Sequence, residues 1–333
     1  MIGGHAVVKR RISSGQAMLG GFGINIFTEN DFMAIHYGTL EVLEKTGVFV
    51  DNPEAIDLYE SGGARVDRSN KKVKIPASLV DECLHSAPKK VLLAGRDAKN
   101  DILLEGTRVH FCSFGIGLNV YDPFTGAYRK STKKDVGDVA RLCDYLEDID
   151  MLECTLTPND VHPNVYNLHI LEANLRNTTK PCLSDPDPGL FPWILEMASA
   201  VAGGEDKLRE RPIISGIVCP QSPMTFHHSC CEGIMQYARH ELPMIVLPMA
   251  MAGGTSPVTL AGTVISHNVE VLAGLVLAQI VHKGAPIIYG SSTTMLDLKT
   301  ATATVGCPEL AMLNAALAKM AQFYLLPSWV AGG

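Results

Sequence analysis

From Thr107 onward the chain repeats one pattern, a short apolar run followed by a stretch of helical periodicity, at spacings of about 30 to 45 residues. The apolar runs fall at 109–113, 151–156, 181–184, 212–218, 244–249, 286–289 and 328–331, and the helical stretches at 133–145, 165–176, 192–202, 226–240, 260–282 and 309–324. The segment YDPFTGAYR, 121–129, inserts a small hairpin into the first unit. Strands joined in this way by right-handed crossovers form either an open doubly wound sheet or a closed barrel. No G-x-G-x-x-G turn follows the first run, and no long connection marks a reversal of strand order, so the pattern predicts the closed form. The fold class expected is α/β, a (β/α)8 TIM barrel. Seven runs are one short of eight, and parallel strands this apolar rarely leave an edge open. An eighth strand is therefore expected beyond residue 333.

The first hundred residues read differently. Thr28 predicts the N-cap of a helix over 29–45 that Gly47 stops, a second helix runs from Pro53 to Gly62 and Gly63, and a third covers 77–86. Between them, 64–67 and 72–75 flank RSN as a hairpin, and 91–95 with 102–104 form another. The expected division is an α+β cap over 1–107 and the barrel over 108–333.

Composition narrows the function. With 47% hydrophobic and 19% charged residues the chain has the content of a globular protein with a large core. A net charge of -7, with only a short basic start at Lys9 to Arg11, argues against nucleic acid or an anionic membrane as partner. The longest apolar stretch, 269–281, is interrupted by Glu270 and Gln279 and is shorter than the roughly 20 residues that span a bilayer, so it predicts a core helix. No secretory signal is visible, and nine cysteines without C-x-x-C spacing suit a reducing compartment, so a cytoplasmic protein is expected.

In a barrel the residues just past each strand form the active face. Here that face is rich in Gly, Ser and Thr, poor in Lys and Arg, and carries the carboxylates Asp160, Asp185 and Asp187, which favours a small neutral or cationic substrate over an anionic one. Each Asp equally suits a helix cap or a turn. Gly253 and Gly254, in MAGGTSPVT, lead to a helix N-terminus and could bring backbone close to a ligand; a tight turn is the plainer reading. Cys112, Cys154, Cys182 and Cys219 sit in or at the ends of successive runs, but their positions relative to the strand ends vary, so no metal is assigned. His227 and Cys231 have ligand spacing within HHSCC, yet fall on the helix after the fourth run and read as a structural pair.

The segment 249–333, from MAMAGGTSPVT to LLPSWVAGG, together with IFTENDFMAIHYGTLEVLEKTGV at 26–48, resembles the methanogen trimethylamine methyltransferases, the pyrrolysine-containing, corrinoid-dependent methylamine methyltransferases. That resemblance covers nearly the whole chain. It implies a cytoplasmic, homo-oligomeric enzyme that moves a methyl group from trimethylamine to Co(I) of a corrinoid carried by a separate protein, through an adduct on a pyrrolysine expected just after Gly333. No tightly bound cofactor beyond that residue and no metal is implied. On this reading Asp160 or Asp185 assists catalysis, and Tyr289, Ser291, Trp329, Gly332, Gly333, Gly253 and Gly254 line the substrate site, with Tyr289 and Trp329 equally suited to strand core. The alternatives are a paralogue without pyrrolysine that acts on a quaternary amine such as glycine betaine, a non-catalytic module that binds methylated amines, and an enzyme using zinc-bound thiolates.

Overall fold

The computed structural model describes residues 27–185 and 187–332; the basic start and Gly333 lie outside the described residues. Helix α1 (Glu29–Lys45) begins with a capping box in which the Thr28 hydroxyl accepts from the Asp31 N–H and the Asp31 carboxylate accepts from the Thr28 N–H at 2.8 Å. It ends before Gly47, whose φ of +71° leaves any Cβ 2.3 Å from the Val73 carbonyl oxygen, so only glycine fits. The chain continues through helix Pro53–Ser61, the hairpin Arg65–Asp67 with Lys72–Lys74, and helix Ala77–Ser86.

Five parallel strands follow in chain order across one sheet: β1 (Cys182–Ser184), β2 (Ile214–Val218), β3 (Met244–Val246), β4 (Ile287–Ser291) and β5 (Ser328–Val330). Parallel bridges extend the sheet beyond β1, from Leu152 to Cys182 and from Cys112 to Met151. All seven apolar runs thus align in sequence order, as the alternating pattern requires. The first two make only isolated bridges. At Gly115 the two backbones approach so closely that a Cβ would lie 1.9 Å from the Cys154 carbonyl oxygen. β5 has a neighbour on one side only among the described residues, so the structure shows a mixed helix and sheet fold with a partly closed barrel sheet.

Helices α2 (His228–Arg239) and α3 (Leu260–Val281) lie against the strands. α3 is long and apolar enough to cross a membrane, but it is buried between α1, helix Ala77–Ser86 and α2, which is why its sequence lacks a polar face. Among its polar side chains, Asn268 donates to Thr39 Oγ1 at 2.9 Å and to Tyr324 Oη at 2.8 Å, and accepts from Tyr289 Oη at 3.1 Å. Tyr59 Oη donates to the Ala273 carbonyl at 2.9 Å. Residues of the N-terminal segment and of the barrel strands and helices therefore share one continuous core. The N-terminal sheet itself crosses over, because Val48–Val50 pairs in parallel with Thr225–Phe226.

Two features lie outside the sequence expectation. Helix Glu205–Glu210 follows the left-handed Gly203, and Met251–Ala252, Thr294–Asp297 and Thr302–Ala303 make a small sheet above β3 and β4.

Candidate active site

A cavity of about 510 Å³ opens where the C-terminal ends of the parallel segments converge. Every segment contributes to it: Ile116, Glu153, Asp185, Cys219, Leu247, Ser292 and Trp329 come from successive units. Phe114 and Ile116 form an exposed apolar rim. Among the described residues its lining contains no Lys or Arg and a single imidazole, His227, which is engaged with the Gln221 side-chain oxygen.

The two carboxylates give the cavity its chemistry. Glu153 is only 9% exposed, its N–H donates to Ser113 Oγ at 2.9 Å, and its Oε2 has no hydrogen-bond partner. Burial, and then the charge of Asp185, push its carboxyl up to about 7. Asp185 is also raised, by burial and then by Asp187. A pair so placed lacks a countercharge, and a cationic ligand would supply one.

Of the residues expected from sequence, Asp185 and Trp329 line this cavity. Asp160 does not: it is exposed, and its Oδ1 accepts from the Lys133 N–H at 2.7 Å, so it acts on the start of helix Lys133–Tyr145. Asp187 turns the chain by accepting from Gly189 N–H at 2.9 Å. Tyr289 does not line it: it is fully buried on the helix side of β4, against His267 and bonded to Asn268. Ser291 is buried too, donating to Asn314 Oδ1 at 2.6 Å. Gly253 and Gly254 form the turn of the small upper sheet; Gly253 has φ +81°, and a Cβ on Gly254 would meet the Leu296 side chain, so the tight turn is the role the structure gives them. Open space surrounds Gly332.

Sequence position alone does not single out Glu153, because the run 151–156 reads whole as core strand. The signal was present: residues 151 and 153 share one face at strand period, Met151 packs with Leu183, Ile245 and Ile288 inside the sheet, and a carboxylate on that face must find a special environment.

Burial pushes the Cys154 thiol up to about 12, and Cys219, although its residue is exposed, has its thiol raised to about 11 by desolvation and then by the charge of Asp185, which is the opposite of what a zinc thiolate needs. Among the described residues no group of three or more His, Cys, Asp and Glu side chains is placed to hold a metal. His227 and Cys231 do not act together: His227 faces the cavity, while the Cys231 thiol is buried against the Phe226 carbonyl.

A cavity built where several parallel segments end, holding two carboxyls and an indole, is the kind of place where barrel enzymes keep their active sites. Residues 12–333 match the family described as trimethylamine methyltransferase (MTTB), and the chain belongs to that family. It is 48% identical over 329 residues to the trimethylamine methyltransferase MttB of Desulfitobacterium hafniense, covering 98% of this chain and 66% of that one. Identity to the Methanosarcina barkeri (strain Fusaro) MttB is 41% over 332 residues, covering 98% and 67%. A glycine betaine methyltransferase of D. hafniense is 30% identical over 312 residues, covering 93% and 64%. The chain thus spans about two thirds of the length of the curated relatives it matches. The crystal structure of the M. barkeri monomethylamine methyltransferase (MtmB) shares its fold, with a TM-score of 0.51 at 10% identity over 91% of this chain and 67% of that one.

Proposed function

We propose that this chain carries the substrate site of a trimethylamine methyltransferase, which passes one methyl group to Co(I) of a corrinoid presented by a partner protein. Family membership and the mouth cavity support the reading, and the observation that carries it is the buried, unpartnered carboxyl of Glu153 beside Asp185 and Trp329. We further propose that the full protein completes an eight-stranded barrel, is cytoplasmic and forms a homo-oligomer. The unpaired outer side of β5 supports the first of these, and nine free thiols suit the second.

The chemistry sets what the chain must do. A neutral amine is a poor leaving group, so the nitrogen must carry positive charge as its C–N bond breaks and it keeps the electron pair, while Co(I) supplies the pair for the new Co–C bond. Glu153 and Asp185 stabilise that positive charge, in a site where surrounding side chains replace water. Trp329 lines the cavity, and a contact between its indole and the N-methyl groups would be worth about 1–2 kcal/mol when desolvated. Leu247 and Ile217 complete an apolar wall that fixes the methyl groups for in-line displacement. The pyrrolysine that family resemblance places after Gly333 would supply an electrophilic imine carbon at this mouth, and the two carboxyls suit a cationic nitrogen there.

The betaine reading is disfavoured by a specific observation. Glycine betaine carries a carboxylate, which here would meet Glu153 and Asp185 with no Lys or Arg among the described lining residues to receive it. The test is the absorbance change of a Co(I) corrinoid protein on methylation by the full-length enzyme. Methylcobalt formation with trimethylamine and none with glycine betaine is expected; the reverse pattern would overturn the proposal.

A further inference from the structure

Glu270 is the only acidic residue of α3, lies at its centre, and is 0% exposed. An isolated carboxylate is among the costliest groups to bury, and an apolar residue would serve core packing better. Its two oxygens account for its presence: Oε2 accepts from Ser222 Oγ at 2.8 Å and Oε1 from the Met224 N–H at 2.8 Å. Both donors belong to the loop between β2 and α2, which carries Cys219 and leads into His227, Ser229 and Cys230 on the wall of the mouth cavity.

The loop is gripped from its other side as well. The Phe49 N–H donates to the Met224 carbonyl at 2.9 Å and the Asp51 N–H to the Phe226 carbonyl at 2.8 Å, so the N-terminal strand holds Met224 and Phe226 of the same loop from its other side. Met224, between the two grips, has φ +50°, a conformation a side chain other than glycine adopts only when its surroundings impose it.

The geometry points to Glu270 as a positioning residue, which clamps the 219–226 loop against the N-terminal strand and thereby sets the cavity wall formed by Cys219 and His227. It touches no ligand. Ionised, it accepts both bonds; protonated, it can donate to Ser222 Oγ while still accepting from Met224. Burial pushes its carboxyl up to about 7, and the clamp holds in either state. A glutamine can also accept from Met224 and donate to the Ser222 hydroxyl, whereas leucine leaves both donors buried and unpartnered.

Cys219 reads the wall directly, being the only exposed thiol among the nine, all of which are described. The experiment compares wild type, Glu270→Gln, Glu270→Leu and Ser222→Ala in the full-length protein. Iodoacetamide labelling of Cys219 is followed by peptide mass spectrometry, and tetramethylammonium affinity by calorimetry. Glu270→Leu should change the labelling rate by about 10-fold or more and weaken the cation by a similar factor, with Glu270→Gln within about 3-fold of wild type on both. Ser222→Ala, which cuts one arm and keeps the fold, should move labelling by about 3-fold and serves if the leucine variant does not fold. Labelling within 2-fold of wild type in a folded leucine variant, or in Ser222→Ala, would overturn the inference. The affinity arm rests on the ammonium reading of the cavity. If wild type fails to bind tetramethylammonium that reading falls, while the labelling rates still decide the role of Glu270.

Discussion

Glu153 and Asp185 line one cavity, and Asp185, after burial itself, is what holds the Glu153 carboxyl protonated up to about pH 7. Two carboxyls in this relation carry less than their full charge until a cation arrives. Binding a permanent cation should then expel a proton. Tetramethylammonium affinity is expected to rise between pH 6 and 8, approaching 10-fold per unit below the Glu153 pKa, with proton release measurable by calorimetry in buffers of different ionisation enthalpy. Glu153→Gln should weaken binding about 10-fold and flatten the pH dependence.

The same carboxyl has a signature in stability. Its folded-state value of about 7 lies above the ordinary 4.5, so the folded protein holds this proton more tightly than the unfolded chain. Its contribution is present in full below about pH 4.5 and is lost as pH rises through 7. Buried His267, lowered to about 3, works in the opposite direction up to its ordinary 6.5, so total stability alone is ambiguous. The difference between wild type and Glu153→Gln isolates the glutamate: urea unfolding should show wild type losing about 1 kcal/mol per pH unit relative to the variant between pH 5 and 7, then levelling.

Trp329 supplies the aromatic wall of the cavity while packing on the apolar interior of the sheet. Trp329→Ala should therefore weaken tetramethylammonium about 10-fold, in keeping with about 1–2 kcal/mol for a desolvated cation over a ring. Trp329→Phe should recover most of that affinity. Equal affinity in the alanine variant would remove the indole from the site.

Asn268 joins α1, α3, β4 and Tyr324 through three buried hydrogen bonds, to Thr39, Tyr324 and Tyr289. Asn268→Leu strands those partners in the core, and a loss of about 2–4 kcal/mol in urea unfolding is expected. Since the network ties the N-terminal segment to the strands, both should unfold in one transition.

Much of the fold was legible because its physics is local. Thr28 and Asp31 announce a capped helix, Gly47 its end, and the alternation of apolar runs with helical stretches gives the parallel order of β1 to β5. What the sequence hid depends on distant partners. Nothing near Val48 reveals that its strand pairs with Thr225–Phe226, which makes the N-terminal segment part of the site's scaffold. Runs 109–113 and 151–156 have strand composition but only bridge their neighbours, because strand propensity does not by itself fix how regularly two backbones pair.

The site was half legible. Asp185 follows a strand and could be found by position, as could Trp329 from its place in β5. Asp160 satisfied the same positional rule, but an exposed Asp can serve a helix N–H across the chain, and only the fold shows which donor it meets. Glu270 reads from sequence as an interruption of an apolar stretch, and Glu153 is hidden inside a run that reads whole as strand. Both are buried carboxylates, and the cost of burying them is the physical reason to ask what each one holds.

The most direct test of a methylated ammonium site at this mouth is calorimetric titration of the full-length protein at pH 8 with tetramethylammonium and, separately, with glycine betaine. Saturable binding of the cation at one site per chain is expected, at least 10-fold tighter than the betaine, and abolished in the double variant Glu153→Gln, Asp185→Asn. Betaine binding as tight as the cation, or cation binding that survives the double variant unchanged, would contradict it.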